Sequence, residues 1–354
     1  MSRRATPFDV DTRKAVARRA HLRYVQPSGP GYVRIRRGRS FAYRDAAGRP
    51  ASQSAAERIR ALVLPPAWTD IWICRHPRGH LQATGRDARG RTQYRYHADW
   101  TRAVAELKFE RMAIFARNLP AIRRRVRRDL SRPGLPREKV LAAVVRLLEQ
   151  TLIRVGNEEY ARENGSFGLT TIRKRHVEST GGSFRLSFQG KSRVRHAVEI
   201  RPGPLADVIR ECLQVPGRDL FQYVDATGAV RDVKAGEVNA YLAEIGGENC
   251  TAKDFRTWGA TVLMYRELLR GEPASSMADI KRTVRTALAA VAEALRNTVA
   301  VCRKSYVHPR VIDAYVIGQR AVRLASRLRR RAAFGQGALS VLEVRTLRLL
   351  EGRA

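Results

Sequence analysis

Residues 183–200 read Ser-Phe-Arg-Leu-Ser-Phe-Gln-Gly-Lys-Ser-Arg-Val-Arg-His-Ala-Val-Glu-Ile. Phe184, Leu186 and Phe188 alternate with polar residues, and after Gly190-Lys191 the alternation resumes at Val194, His196, Val198 and Ile200. A period of two marks half-buried strands, and two such runs around a Gly-containing pair predict a β-hairpin with a tight turn. Lys191 would stand at its tip. Leu169 to Val177 reads as a further strand just ahead of it. The surroundings are helical. Val140, Leu141, Val144, Leu147, Leu148 and Leu152 follow a helical period from about Arg137, and Val104, Leu107, Ile114 and Phe115 do so in an earlier helix from about Thr101. From Leu205 onward the chain is mainly helical, with breaks at Pro216-Gly217, Gly246-Gly247, Gly271–Pro273 and Gly335–Gly337.

Ahead of Trp100 the pattern is different. Short strand-like runs (Tyr32–Arg36, Phe41–Tyr43, Trp72–Cys74) are separated by Gly, Pro and Asp turns, with one short helix from Ala55 to Leu64 that prolines end. The expected fold class is therefore α+β. A flexible basic arm (1–20) precedes a small β-rich domain (21–100), and a larger, mainly α-helical domain (101–354) carries the hairpin.

Composition narrows the function. In 354 residues, 68 Lys and Arg oppose 33 Asp and Glu, a net charge of +35, while 44% apolar residues suffice for a core. Arginine, the more abundant cation, offers planar bidentate donors that suit phosphate. Basic residues spread over the whole chain point to nucleic acid rather than to a membrane surface. No apolar run approaches a membrane span, and no N-terminal signal segment is apparent. Cys74, Cys212, Cys250 and Cys302 form no CxxC pair, so neither a zinc site nor a disulfide framework is expected. No GxxxxGK[ST] loop is present.

Four separated pieces could carry chemistry: Thr151-Leu152-Ile153-Arg154-Val155-Gly156-Asn157-Glu158-Glu159-Tyr160, Gly190-Lys191, Lys253-Asp254-Phe255-Arg256-Thr257-Trp258-Gly259, and the stretch Asn297–Pro309 around Tyr306. Taken singly, each has an ordinary reading: surface arginines, a solvated hairpin lysine, a half-buried tyrosine, an asparagine capping the helix before Thr298. In this order, and with ENGSFGLTTIRKRHV over 163–177, they resemble the type IB DNA topoisomerases in their short poxviral and bacterial form. The likeness covers roughly residues 24–320.

The resemblance implies a catalytic domain of the tyrosine recombinase/type IB topoisomerase kind. It makes Tyr306 the nucleophile that forms a 3′-phosphotyrosyl bond, Arg154 and Arg256 the contacts to the non-bridging oxygens, and Lys191 the general acid for the leaving 5′-oxygen. Two fixed guanidinium groups suit a phosphorane that gathers charge on those oxygens. Lys253 matches a further basic residue. Asn297 stands where poxviral and eukaryotic enzymes carry histidine; its amide can donate a hydrogen bond but cannot shuttle a proton. Ser192 stands where the family often has aspartate. Gln93, Tyr94 and Tyr96 resemble the family's QYxY stretch against DNA, and Tyr160 matches another DNA contact, whereas Asn157 replaces a basic residue.

The implied activity is relaxation of supercoiled duplex DNA without ATP, metal or cofactor, by a monomer that clamps DNA in the cytoplasm, at the nucleoid. A tyrosine recombinase is the nearest alternative, but it usually shows H-x-x-R where this chain has Lys253 three residues before Arg256. A non-catalytic basic nucleic-acid-binding protein would match the charge, yet not the ordered set Arg154, Lys191, Arg256 and Tyr306.

Overall fold

A computed structural model gives the fold. It describes residues 10–38, 40–270, 276–318 and 338–352, apart from the side chains at 108, 160 and 192. Two compact units divide the chain, Met1–Glu110 and Arg111–Ala354.

In the first unit, residues expected to belong to a flexible arm instead form helix α1 (Val10–Arg19). Val16 and Ala17 are buried against Leu22 and Trp100. So few apolar positions in an Arg-rich stretch leave little period to read, although they suffice to dock one helix. Strands β1 (Gly31–Arg37), β2 (Ser40–Asp45), β3 (Thr69–Cys74), β4 (Leu81–Arg86) and β5 (Thr92–Tyr96) make one antiparallel sheet in the order β2-β1-β3-β4-β5. Helix α2 (Gln53–Ala61), capped by the Ser52 side chain, brings Ile59 into a core with Ile71, Ile73 and Ala83. Helix α3 (Ala98–Leu130) contains Pro120, and the division between the units falls within it.

The second unit is organised on α4 (Arg137–Thr151), in which every residue from Val140 to Val145, with Leu147 and Leu148, is buried. A helix apolar on all sides belongs at the centre of a bundle. Its one buried cation, Lys139, is held by both carboxylate oxygens of Glu211 at 2.8 Å. Next come α5 (Glu158–Asn164) and two 3₁₀ turns, Leu169–Thr171 and Lys174–His176. Strands β6 (Val177–Thr180), β7 (Ser183–Gln189) and β8 (Arg195–Ile200) then form an antiparallel sheet.

Two local expectations are corrected here. The segment 169–176 is not a strand but two 3₁₀ turns, and Leu169 to Ile172 are buried in succession rather than alternately as on a pleat. The β7–β8 connection is a five-residue loop, not a tight turn. Gln189 pairs with Arg195, the Gly190 N–H donates to the Val194 carbonyl at 2.8 Å, and Lys191 opens a 3₁₀ turn inside the loop.

Helix α6 (Pro204–Gln214), the pair β9 (Gln222–Val224) and β10 (Val230–Asp232), and α7 (Ala235–Gly246) follow. Helices α8 (Ala252–Arg270), α9 (Met277–Leu295), α10 (Val299–Ser305), α11 (Pro309–Ile317) and α12 (Val341–Glu351) complete the described chain. Both α6 and α7 pack on α4, and α8 lies between α4, α9 and α12. No described helix is long and apolar enough to cross a membrane. The run Arg327–Arg331, a basic stretch of the sequence, lies outside the described residues.

Candidate active site

Arg154 is placed by the way α4 ends. Leu152 takes the left-handed conformation (φ 54°), its N–H still bonded to the Leu148 carbonyl at 2.9 Å. Such a conformation in a non-glycine residue costs on the order of 1–3 kcal/mol and persists only where packing enforces it. Packing does so here: the Leu152 side chain fills the space beside Gly259, where a Cβ would lie 2.6 Å from it and would have to displace it. Arg256, one turn earlier on α8, is thereby brought beside Arg154. The Arg154 and Val155 carbonyls accept from the Leu169 and Thr170 N–H groups at 3.0 and 2.7 Å. That pairing brings Gly168 against Gly156, where a Cβ on Gly168 would sit 2.5 Å from the Gly156 Cα.

From the far end of the sequence, Asn297 closes on the same place. It follows the left-handed end of α9 at Arg296, with its N–H on the Ala292 carbonyl at 2.9 Å. One Nη of Arg154 donates to Asn297 Oδ1 at 2.6 Å. This contact fixes the amide, because its oxygen must face the guanidinium, leaving Nδ2 as a donor. That Nδ2 is buried with no partner. Arg256, only 4% exposed, donates to the Leu295 carbonyl at 3.1 Å, while its Nε is buried with no partner. Its guanidinium carbon stands 5.3 Å from the centre of the Tyr306 ring.

Tyr306 caps the C-terminus of α10, its N–H on the Cys302 carbonyl at 3.0 Å. Thr261 on α8 braces this turn. Its hydroxyl lies 3.2 Å from the Tyr306 carbonyl and accepts from the His308 N–H at 3.1 Å. Nothing in the sequence marks Thr261 for this task. His308, two residues beyond the tyrosine, has a structural use: Nδ1 accepts the Arg310 N–H at 3.1 Å and caps α11. Cys302 is a fully buried core residue.

The electrostatics of Tyr306 are a contest. Burial raises its pKa, but the charge and hydrogen bond of Arg256, followed by the charges of Arg154 and Lys253, outweigh it and hold the phenol below its usual value. Burial, with Arg154 nearby, lowers Arg256 in turn; a guanidinium nevertheless stays charged at neutral pH. Lys253 itself is exposed, one turn before Arg256.

Lys191 lines a cleft of about 160 Å³ whose walls also include Arg154, Asn157, Phe167 and His196. The structure thus gathers Arg154, Arg256, Asn297 and Tyr306, with Lys253 within electrostatic reach and Lys191 sharing a cleft with Arg154. His196, which sequence reading treated only as an alternating strand residue, belongs to that cleft.

The expected N-terminal DNA contacts lie on β5 in the other unit. Tyr94 and Tyr96 point to one face of the strand and stack at 6.0 Å; Tyr94 is exposed. Gln93 Nε2 donates to Asp87 at 2.8 Å, which engages the amide that base reading would use. The Tyr160 side chain lies outside the described residues. Among the described residues no cluster of His, Cys, Asp or Glu could hold a metal ion.

Comparison with known proteins gives the family of the chain. Residues 98–324 match the family model of the eukaryotic DNA topoisomerase I catalytic core, and residues 40–87 that of the bacterial DNA topoisomerase IB N-terminal domain. DNA topoisomerase 1B of Acanthamoeba polyphaga mimivirus is 34% identical over 266 residues, covering 73% of this chain and 79% of that protein. DNA topoisomerase 1B of vaccinia virus (strain Copenhagen) is 21% identical over 272 residues, covering 73% and 81%. With the N-terminal antiparallel sheet, the mainly helical second unit and both model matches in agreement, the chain belongs to the type IB DNA topoisomerases.

Proposed function

We propose that this topoisomerase relaxes supercoiled duplex DNA by transient cleavage of one strand, with Tyr306 as nucleophile. The observation that carries this reading is the pair of buried, unpartnered donors, Arg256 Nε and Asn297 Nδ2, beside a phenol held below its usual pKa. A buried donor without a partner costs about 1–3 kcal/mol, which a bound anion recovers. Among the described residues neither Arg154 nor Arg256 is paired with a carboxylate, so both guanidinium charges face whatever anion binds.

In the reaction Tyr306 Oη, its proton lost to water, attacks phosphorus and forms a P–O bond. The bond from phosphorus to the 5′-oxygen breaks, and Lys191 Nζ protonates the departing oxygen. Arg154 and Arg256 hold the non-bridging oxygens as charge grows on them, and Asn297 Nδ2 donates to one of them. The broken strand swivels, its 5′-hydroxyl returns its proton to Lys191 and attacks the phosphotyrosine, and the tyrosine leaves. The phosphodiester bond energy is retained in the intermediate, so ATP is not required, and side-chain cations supply the charge stabilisation. The enzyme acts as a single chain on duplex DNA.

Incubation of pure protein with negatively supercoiled plasmid in EDTA, without nucleotide, tests the reading. Conversion to relaxed topoisomers is expected; folded protein that binds the plasmid but leaves its linking number unchanged would sink it.

A further inference from the structure

The hairpin that carries Lys191 is seated on an aromatic stack that the chemistry above does not use. His196 on β8 stacks on Phe188 of β7, with ring centres 5.1 Å apart and planes 16° from parallel. Phe188 in turn neighbours His176 at 6.3 Å, and His176 meets Phe167 edge-on at 4.6 Å. The row is tied down by backbone hydrogen bonds. The Phe167 N–H donates to the Gln189 carbonyl at 2.8 Å, and His176 Nδ1 accepts from the Arg173 N–H at 3.1 Å. Four rings thus run from the 3₁₀ segment to the root of the lysine loop.

At that root the loop backbone lies directly on the imidazole. A Cβ on Gly190 would fall 2.6 Å from His196 Nε2. Gly190 has φ −92°, open to any residue, so what glycine supplies there is close approach and not conformational freedom. Lys191 is the next residue, and it shares the cleft with His196 and Arg154. Burial, then the charges of Arg296, Arg154 and Arg256, pull His196 down to about 4, so the ring is neutral at pH 7 and adds no repulsion to this cationic cleft.

We propose that His196 is a positioning residue for Lys191: its imidazole, fixed on Phe188, is the seat on which the Gly190 backbone rests, and it sets where the lysine ammonium meets the leaving 5′-oxygen. The proposal rests on the reading of Lys191 as general acid. It distinguishes His196 from the phosphate-binding groups, because a loss of position at the acid affects only the step that needs a proton.

Single-turnover cleavage of a duplex carrying either an ordinary 5′-oxygen or a 5′-bridging sulfur at the scissile phosphate tests it, since a thiolate leaves without protonation. His196→Ala is expected to slow cleavage of the oxygen substrate by about 10²-fold, the scale of a misplaced catalytic group. The sulfur substrate should be cleaved within a few-fold of the wild-type rate. Gly190→Ala, which forces the loop and the ring apart while keeping the His196 imidazole, should show the same sulfur-selective defect, and it decides the matter if His196→Ala does not fold. Combining His196→Ala with Lys191→Ala should slow the oxygen substrate no further than Lys191→Ala alone. Equal slowing of both substrates, or no slowing, would overturn the proposal. Lys191→Ala separates the two claims. If it recovers with sulfur and the His196 and Gly190 variants do not, the positioning role alone fails; if it does not recover, the acid assignment fails.

Discussion

Two arginine clusters in the second unit are handled in opposite ways. Arg123 on α3 donates to Glu149 at 2.6 Å and to Glu343 of α12 at 2.8 Å, and Glu343 also accepts from Trp258 Nε1 at 3.2 Å. Nearby, the fully buried Asp129 accepts from Arg125, Arg132 and Tyr241 at 2.8 to 3.0 Å. Every charge there is answered by an opposite one. Among the described residues Arg154 and Arg256 have an amide oxygen, a backbone carbonyl and a phenol beside them and no carboxylate. A buried cation left without a carboxylate, as Arg256 is, lowers stability, and a fold keeps it where an anion arrives from outside. In a chain with a net charge of +35, an abundance of arginine therefore says little; what sets the site apart is Arg256, the only buried arginine among the described residues, which has no acid beside it.

Substitutions that ought to be felt in different assays would break this contrast. The largest expected effect is at the site. Arg256→Ala and Arg154→Ala should each slow single-turnover cleavage by about 10²–10³-fold, the cost of removing one donor to a developing oxyanion, with little change in melting temperature. Arg123→Ala should do the reverse, leaving Glu149 and Glu343 facing each other and lowering unfolding stability in urea by about 3 kcal/mol while the folded fraction cleaves normally. A large stability loss at Arg256, or a cleavage defect of the folded Arg123 variant, would erase the distinction.

A smaller effect concerns pH. His80, buried in the first unit and stacked on Tyr24 at 4.5 Å, accepts the Val25 N–H on Nδ1 at 3.1 Å, and burial pulls its pKa from 6.5 to about 4. The folded pKa is the lower one, so above 6.5 neither state is protonated and nothing changes. As pH falls from 6.5 towards 4 the unfolded chain takes up a proton that the folded one refuses, and stability drops by about 1.4 kcal/mol per pH unit. The His80→Phe variant should lack that component of the slope in urea titrations across this window; an unchanged slope would contradict it. The smallest effect is at Asn297. Losing its one donor in Asn297→Ala should slow cleavage about tenfold, the worth of a single net hydrogen bond. Asn297→Asp should be slower still, because a carboxylate paired with Arg154 repels the phosphate. An Asp variant faster than the Ala variant would show that the residue serves only to orient Arg154.

What the sequence disclosed follows from range. The hairpin and α4 were legible because their periods, two and 3.6, are written in neighbouring residues. Helix α1 was not, since two buried residues and a leucine leave no period in an Arg-rich stretch. The segment 169–176 mimicked a strand because a short 3₁₀ turn at its start also buries closely spaced apolar and Thr residues. Tyr306, Arg154, Arg256 and Lys191 could be named through the resemblance. That Asn297 grips Arg154 across 143 positions, that Thr261 braces the tyrosine turn and that Gly190 rests on His196 could not, because each depends on how distant elements close on one another.

In the proposed reaction Tyr306 becomes covalently joined to DNA. The most direct test is to incubate wild type and Tyr306→Phe with a duplex that traps the cleaved strand, then digest the adduct and map the nucleotide-bearing peptide by mass spectrometry. A nucleotide on Tyr306 is expected in the wild type, and a Tyr306→Phe protein that still binds the duplex but yields no adduct. An adduct of undiminished yield in Tyr306→Phe, or one mapped to another residue, would contradict it.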